Sequence, residues 1–140
     1  MVKLIVGVKG TGKTKTLIDM VHNALNESNG SVVCIEKGSR LGVRGVVKRE
    51  VRMINTADYS ISNADALYGM VCGLHANNFD ITHIFIDSAL KICSENMDDF
   101  SRLIELVNLF SEKNNVSLVI TASLTPEALP TGLNKYLITE

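Results

Sequence analysis

A glycine-rich stretch near the start of the chain constrains the fold more than any other feature. Residues Gly7–Thr14 spell Gly-Val-Lys-Gly-Thr-Gly-Lys-Thr, which fits the pattern G-x-x-x-x-G-K-[ST] at every fixed position. An apolar run at Lys3–Val6 precedes it and predicts a strand, and helical periodicity follows it. The stretch therefore predicts a tight turn from a first strand into a first helix.

Each fixed position of this pattern suits the binding of a polyphosphate. Glycines let the backbone curl so that several N–H groups point at one anion, and the first turn of the helix adds its own N–H groups. Lys13 would reach the β- and γ-phosphates, and the Thr14 hydroxyl would ligate Mg²⁺. The alternative is a chance glycine-rich turn. We assign nucleotide binding to Gly7, Lys9, Gly10, Thr11, Gly12, Lys13, Thr14 and Lys15.

The rest of the chain alternates apolar runs with amphipathic stretches. Helices are predicted at Lys13–Glu27, from an N-cap at Asn63 to Ala76, and from Asp98 or Asp99 to Lys113. Strands are predicted at Ser31–Ile35, Val51–Ile54, Ile81–Ile86, Val116–Ala122 and Tyr136–Thr139, and a single helical turn at Thr125–Glu127. Strands that are apolar on both faces predict a three-layer α/β fold with a mostly parallel central sheet flanked by helices. We expect one domain, residues 1–140, with a small hairpin excursion near 40–50.

Composition excludes several classes of protein. No apolar run approaches the ~20 residues that span a bilayer, so we expect no membrane partner. The glycine-rich stretch begins where the apolar part of a signal peptide would lie, which favours a cytoplasmic protein. The three cysteines are far apart and lack metal-site spacing, which favours reduced thiols. A net charge of −1 gives no global attraction to nucleic acid.

A second chemical signal lies at the end of the strand predicted at Ile81–Ile86. The sequence His83-Ile84-Phe85-Ile86-Asp87-Ser88 is an apolar strand that ends in a carboxylate. Mg²⁺ needs only one or two protein oxygens because it keeps several waters, so Thr14 with Asp87 is a sufficient set. The alternative is an ordinary Asp that caps a turn.

Together, these two motifs resemble those of the P-loop NTPases. Gly7–Thr14 matches Walker A and Ile84–Asp87 matches Walker B. The whole chain also resembles a group of small bacterial P-loop proteins, some of which carry the label of twitching-motility ATPase. The resemblance implies a P-loop fold that binds ATP, or another nucleoside triphosphate, with Mg²⁺. The motility ATPases themselves are much longer and carry an additional N-terminal domain.

The chain departs from the family pattern at the position of the catalytic base. Many P-loop ATPases place a Glu directly after the Walker B Asp, but Ser88 stands there in this chain. RecA-like members can carry the base at the end of the strand that follows the first helix, which is the place of Glu36. We therefore assign catalysis to Lys13 and Glu36, the alternative being a solvated glutamate. Ser123 or Thr121 resembles a polar residue that senses the γ-phosphate, and either could equally be a loop-starting hydroxyl.

Basic side chains are concentrated between residues 37 and 52. One interpretation is a solvated hairpin face. The other is an anion-facing flap that contacts nucleic acid, a phosphorylated partner or the nucleotide of a neighbouring subunit. An arginine from the segment could act in trans as a finger, with Arg102 as a weaker candidate. The basic residues of the segment are Lys37, Arg40, Arg44, Lys48, Arg49 and Arg52.

Three functions remain open at this stage. The first is a Mg²⁺-dependent NTPase that is slow alone and is stimulated by homo-oligomerisation or a protein partner. The second is a nucleotide-binding switch or scaffold that does not hydrolyse, which Ser88 in place of Glu favours. The third and weakest is a small-molecule kinase, because residues 88–98 contain Lys91 as their only cation.

Overall fold

A parallel β-sheet forms the centre of the protein. The computed structural model describes residues 1–38 and 50–138, and these contain five strands in the order β1-β5-β4-β2-β3, all parallel to their neighbours. The strands are β1 (Lys3–Gly7), β2 (Ser31–Glu36), β3 (Arg52–Asn55), β4 (Ile81–Ile86) and β5 (Ser117–Ser123).

Helices connect the strands and cover both faces of the sheet. They are α1 (Lys13–Glu27), α2 (Ala64–Asn77), the short α3 (Ala89–Ile92) and α4 (Met97–Asn114). Short 3₁₀ helices lie at Thr56–Tyr59, Pro126–Ala128 and Thr131–Tyr136. The predicted α/β class, with a parallel sheet between helices, is confirmed. None of the helices in the described part of the chain is both long enough and apolar enough to cross a membrane.

The two faces of the sheet bury separate apolar clusters, because successive side chains of a strand point to opposite faces. On one face, α2 and α4 pack Leu67, Phe100 and Leu103 against strand residues such as Ile84 and Ile120. On the other face, α1 packs against a smaller cluster, whose members include Leu17, Val21, Cys34, Phe85 and Val119. Because the strands are all parallel, their carboxyl ends lie at the same edge of the sheet. Helix α1 begins near this edge, after the end of β1.

Local capping explains where the helices begin. Asn63 accepts a hydrogen bond from the Ala66 N–H (2.9 Å), as the sequence predicts for the start of α2. The last long helix begins earlier than predicted, because Asn96 rather than Asp98 or Asp99 is its N-cap. The Asn96 side chain accepts a hydrogen bond from the Asp99 N–H at 2.9 Å. Thr125 caps the predicted turn, which the structure places at Pro126–Ala128.

The strand predicted at Tyr136–Thr139 is wrong for residues 136–138, and Thr139 lies outside the described residues. A 3₁₀ helix occupies Thr131–Tyr136, and only Leu137 makes a single parallel bridge, to Leu4. The Ile138 N–H then donates to the Leu4 carbonyl (2.9 Å). Leu133 and Tyr136 are buried as parts of this 3₁₀ helix. Within residues 131–138, the chain meets the outer edge of β1 at Leu4. The hairpin predicted near residues 40–50 lies, apart from its last residue, outside the described residues.

Candidate functional site

The glycine-rich stretch forms the loop between β1 and α1. Gly10 and Gly12 have φ angles of 89° and 87°, a left-handed backbone that side chains with a Cβ rarely adopt. Gly12 is also the N-cap of α1, so the loop turns directly into the helix. Gly7 serves a different purpose, since a Cβ there would lie 2.6 Å from Thr11 Oγ1. The predicted turn therefore depends on two glycines for conformation and on one for space.

The loop is closed by contacts with one of its own carbonyl groups. The Val8 carbonyl accepts hydrogen bonds from the Thr11 N–H (3.3 Å) and from the Thr11 hydroxyl (2.7 Å). Lys13 Nζ donates to the same carbonyl at 3.0 Å, so its ammonium group lies over the loop. Partial burial lowers the pKa of Lys13 below its ordinary value, and the negative charge of Asp87 offsets part of that change.

Four polar side chains form a row across the carboxyl edge of the sheet. In the strand register, Ile120 pairs with Ile86 and Ile86 with Ile35, so the following residues, Thr121, Asp87 and Glu36, are neighbours. Glu36 in turn pairs with Asn55 on β3. In its own strand, each of the four follows by two positions a residue of the smaller apolar cluster, the one that packs against α1. These cluster residues are, in the same order, Val119, Phe85, Cys34 and Met53. The row therefore lies on the face of the sheet that α1 covers.

Asp87 is the member of the row that reaches the loop. Its side chain is only 3% exposed, and its Oδ1 accepts hydrogen bonds from Thr121 Oγ1 (2.7 Å) and Thr14 Oγ1 (3.5 Å). Thr14 and Asp87 are 73 residues apart in the sequence. The strand order explains their approach, since β5 alone separates β1 from β4. The structure thus brings together the two residues predicted as magnesium ligands.

The two oxygens fit a magnesium ion. Ligands at right angles on an octahedral Mg²⁺, with bonds of about 2.1 Å, lie roughly 3 Å apart, close to the observed 3.5 Å. A hydroxyl and a carboxylate are also the hard oxygen donors that Mg²⁺ prefers. Residues 1–38 and 50–138 hold no group of three or more His, Cys, Asp and Glu side chains arranged to bind a metal. A divalent ion at Thr14 and Asp87 would therefore keep most of its waters.

Thr121 holds both Asp87 and the turn that follows it. Its hydroxyl donates to Asp87 and accepts a hydrogen bond from the Ser88 N–H (2.8 Å). Ser88 has a φ of 57°, an uncommon conformation for a residue other than glycine. Thr121 is 1% exposed, whereas Ser123, the other candidate sensor, is exposed and lines the cavity described below. The two alternatives left open by the sequence thus occupy different surroundings.

Glu36, the predicted base, is buried at the end of β2. It is 4% exposed and lies on the same face of the sheet as Cys34. Burial raises the pKa of the Cys34 thiol, and the carboxylates of Glu36 and Asp87 raise it further. Cys34 therefore lies within electrostatic reach of both carboxylates. It is not among the described residues that line the cavity.

A cavity of about 570 Å³ opens above the loop, within the size range of small-ligand sites. The loop and the first turn of α1 form one wall, to which six of the predicted binding residues belong. These are Lys9, Gly10, Gly12, Lys13, Thr14 and Lys15. The segment that follows β4, together with the end of β5, forms the other wall. Its lining residues are Ser88, Leu90, Lys91, Glu95 and Ser123.

The remaining basic candidates are not assembled at the cavity in the described part of the chain. Arg102 forms an exposed salt bridge with Asp65, between α4 and α2. Of the basic segment, Lys37 and Arg52 are described and neither lines the cavity. Arg40, Arg44, Lys48 and Arg49 lie outside the described residues.

Sequence reasoning missed Asn55 as a member of the polar row. Asn55 Oδ1 accepts hydrogen bonds from the Gly38 N–H (2.8 Å) and the Ala57 N–H (3.0 Å), and so joins the ends of β2 and β3. A signal was present, because a polar residue directly follows the apolar part of each of these four strands.

The chain matches no protein-family model, and no curated protein matches it significantly, so the assignment of a function rests on the geometry of this site.

Proposed function

We propose that the protein binds a nucleoside triphosphate, by default ATP, together with Mg²⁺, and hydrolyses it slowly unless an oligomer or a partner stimulates it. The observation that carries the proposal is the meeting of the Thr14 hydroxyl with the Asp87 carboxylate beside the glycine-rich loop. A phosphate-binding loop and a magnesium ligand have a chemical reason to be neighbours only if a polyphosphate lies between them.

The loop supplies the phosphate contacts in this proposal. The left-handed conformation of Gly10 and Gly12 is of the kind that lets a loop curl around an anion, and the first turn of α1 contributes its positive dipole end. Lys13 exchanges the Val8 carbonyl, which its ammonium contacts at 3.0 Å, for phosphate oxygens. That exchange is favourable because a hydrogen bond between two charged groups is stronger than one to a neutral carbonyl.

Mg²⁺, when bound, would neutralise the charge that develops on the phosphate oxygens. Thr14 and Asp87 would hold it, and Thr121 would keep the Asp87 carboxylate in position. Glu36 is the candidate to orient or deprotonate the attacking water, through its place beside Asp87 in the polar row. Because Glu36 is buried, this role requires water to enter the row when the nucleotide binds.

A second candidate function is a nucleotide-binding switch that does not hydrolyse. Two observations favour it: Ser88 stands directly after Asp87, and the buried Glu36 lies outside the cavity lining. In this case the triphosphate would act through its contacts alone, and the difference between triphosphate and diphosphate states would carry the signal.

The proposal is tested by titrating Mg²⁺-ATP into wild-type protein and the variant Lys13→Ala while phosphate release is measured. Loss of the Lys13 ammonium removes a charge-assisted contact of about 1.5–3 kcal/mol, so we expect at least roughly tenfold weaker binding. Lys113→Ala, at the exposed end of α4, is the matched control and should bind as wild type does.

Each result separates the candidates. Absence of binding heat at millimolar ATP with Mg²⁺ would overturn both functions. Binding with phosphate release no higher than that of Lys13→Ala would leave the switch. Transfer of phosphate to added nucleosides, rather than to water, would instead favour a kinase.

A further inference from the structure

The wall of the cavity opposite the loop is a short, firmly anchored segment. It consists of α3 and the residues up to Glu95. Four of its side chains, those of Ala89, Leu90, Ile92 and Cys93, are buried in the larger apolar cluster. Lys91 and Glu95 are exposed and line the cavity. The anchoring fixes the backbone from which the Lys91 side chain extends.

Hydrogen bonds on both sides of Lys91 hold this segment in one shape. The Lys91 carbonyl accepts from the Ser94 N–H (3.1 Å), and the Leu90 carbonyl accepts from the Glu95 N–H (2.9 Å). The Ser94 hydroxyl donates to the Ser62 carbonyl (2.9 Å), which ties the segment to the residues before α2. Ser94 and Glu95 both have positive φ angles, of 58° and 59°. Such strained residues persist only where the surrounding structure determines them.

The segment continues directly from Asp87, so it begins beside one of the two candidate magnesium ligands. Among the described residues, four lysines line the cavity. Lys9, Lys13 and Lys15 belong to the loop and the start of α1, and Lys91 is the one described cation that comes from another element. A triphosphate held by the loop would therefore lie in a cavity that Lys91 lines from the opposite wall.

From this arrangement we infer that Lys91 is a catalytic residue that stabilises the terminal phosphoryl group during its transfer to water. The inference rests on the proposed hydrolysis and identifies the cation that assists it within the same chain. In the reaction, the water oxygen forms a bond to the terminal phosphorus while the bond to the bridging oxygen breaks. The bridging oxygen keeps the electron pair on the diphosphate, and the proton of the water passes to Glu36, the candidate base, or to a phosphate oxygen.

Charge accumulates on the transferring group and the bridging oxygen at this step, which is where a second cation has its effect. Glu95, four residues after Lys91, partly offsets its charge for a distant anion. When Lys91 contacts a phosphate oxygen at short range, its attraction for that oxygen exceeds the repulsion from Glu95, because the Coulomb energy rises as the separation falls. We therefore expect Lys91 to act on kcat more than on nucleotide affinity.

The experiment compares wild type, Lys91→Gln, Lys91→Arg and the exposed control Lys113→Gln, with ATP and Mg²⁺. Glutamine removes the charge and keeps a polar side chain that is one bond shorter than that of lysine, and we expect kcat to fall at least about tenfold while the Kd for ATP changes less than about threefold. Arginine restores the charge and should recover most of the loss. Capture of Mg²⁺-ADP with aluminium fluoride, which mimics the transferring phosphoryl group, should weaken in parallel with kcat.

The outcomes are distinguishable from failure of the proposed function. If wild type releases no more phosphate than Lys13→Ala, the hydrolysis and the role of Lys91 both fail. If wild type hydrolyses ATP and Lys91→Gln retains its kcat, only the role of Lys91 is overturned. A rise in Kd with unchanged kcat also overturns it, because that pattern belongs to simple ground-state binding.

Discussion

Thr121 is the residue on which the position of Asp87 depends most directly. In Thr121→Val, a change that keeps the shape of the side chain, Asp87 Oδ1 loses a donor and the Ser88 N–H loses its acceptor. We expect the free energy of unfolding to fall by about 1–3 kcal/mol, because two hydrogen bonds to buried groups are lost. Under the proposed function, the gain in ATP affinity produced by Mg²⁺ should also fall roughly tenfold.

The control for this prediction is Thr121→Ser, which retains the hydroxyl and should restore the Mg²⁺ effect. Urea unfolding measures the stability, and ATP titrations with and without Mg²⁺ measure the metal effect. A valine variant with less stability but an unchanged Mg²⁺ effect would mean that Thr121 supports the fold without positioning Asp87.

The site residues that can be predicted from the sequence are those whose positions depend on their neighbours along the chain. Gly10, Gly12, Lys13 and Thr14 were predicted because their spacing along one turn is fixed by the chemistry of phosphate binding. Asn55 was missed, and the surroundings of Thr121 were not foreseen. Their places depend on which strands are neighbours and in what register, and this information lies in pairings between distant residues.

At the scale of elements, Asp99 joins the starts of two helices. Its Oδ2 accepts a hydrogen bond from the Ala64 N–H (2.7 Å) in the first turn of α2, while its own N–H is capped by Asn96 in α4. We expect Asp99→Ala to lower the free energy of unfolding by about 1–2 kcal/mol, since the first turn of α2 loses an acceptor.

Asp98→Ala is a matched control, because Asp98 is the exposed neighbour in the same turn and has the same charge. Its effect should stay within about 0.5 kcal/mol in urea unfolding, the value typical of surface changes. Equal losses for the two variants would show that the charge near the start of α4, rather than the bond to α2, is what matters.

Long periodic elements were predictable, and short ones were not. The helix Lys13–Glu27 and the strand Ile81–Ile86 have the predicted bounds, since each shows a clear apolar pattern. The four residues of α3 are too few to display a helical period, and their burial against the larger cluster could not be foreseen. At Tyr136–Thr139 the apolar pattern favoured a strand, but Tyr136 is the last residue of a 3₁₀ helix that begins at Thr131.

At the scale of the whole molecule, the thiols should report global unfolding. Cys34 and Cys93 are buried, and burial together with the carboxylate of Asp99 raises the pKa of Cys93 to about 12. At pH 8 we expect iodoacetamide to modify the half-buried Cys72 in native protein and all three thiols in urea. Mass spectrometry counts the adducts, and rapid modification of Cys93 before unfolding would contradict the prediction.

The raised pKa of Cys93 makes the free energy of unfolding depend on pH. An unfolded thiol ionises near pH ~8.5, whereas folded Cys93 stays protonated up to about pH 12, so the unfolded state binds fewer protons between these values. The contribution of Cys93 to stability is fully present below pH ~8.5 and is lost as the pH rises toward 12. Cys93→Ala should show a shallower decline over this interval in urea unfolding.

The position of β5 has a consequence for synthesis on the ribosome. Among the strands of the described residues, β5 is the last to be made, yet it lies between β1, the first, and β4. Until residues 117–123 have left the exit tunnel, nothing can bridge these two strands, and Thr14 has no fixed partner in Asp87. A nascent chain thus carries the whole glycine-rich loop early, but the proposed nucleotide site is assembled only after β5 has emerged.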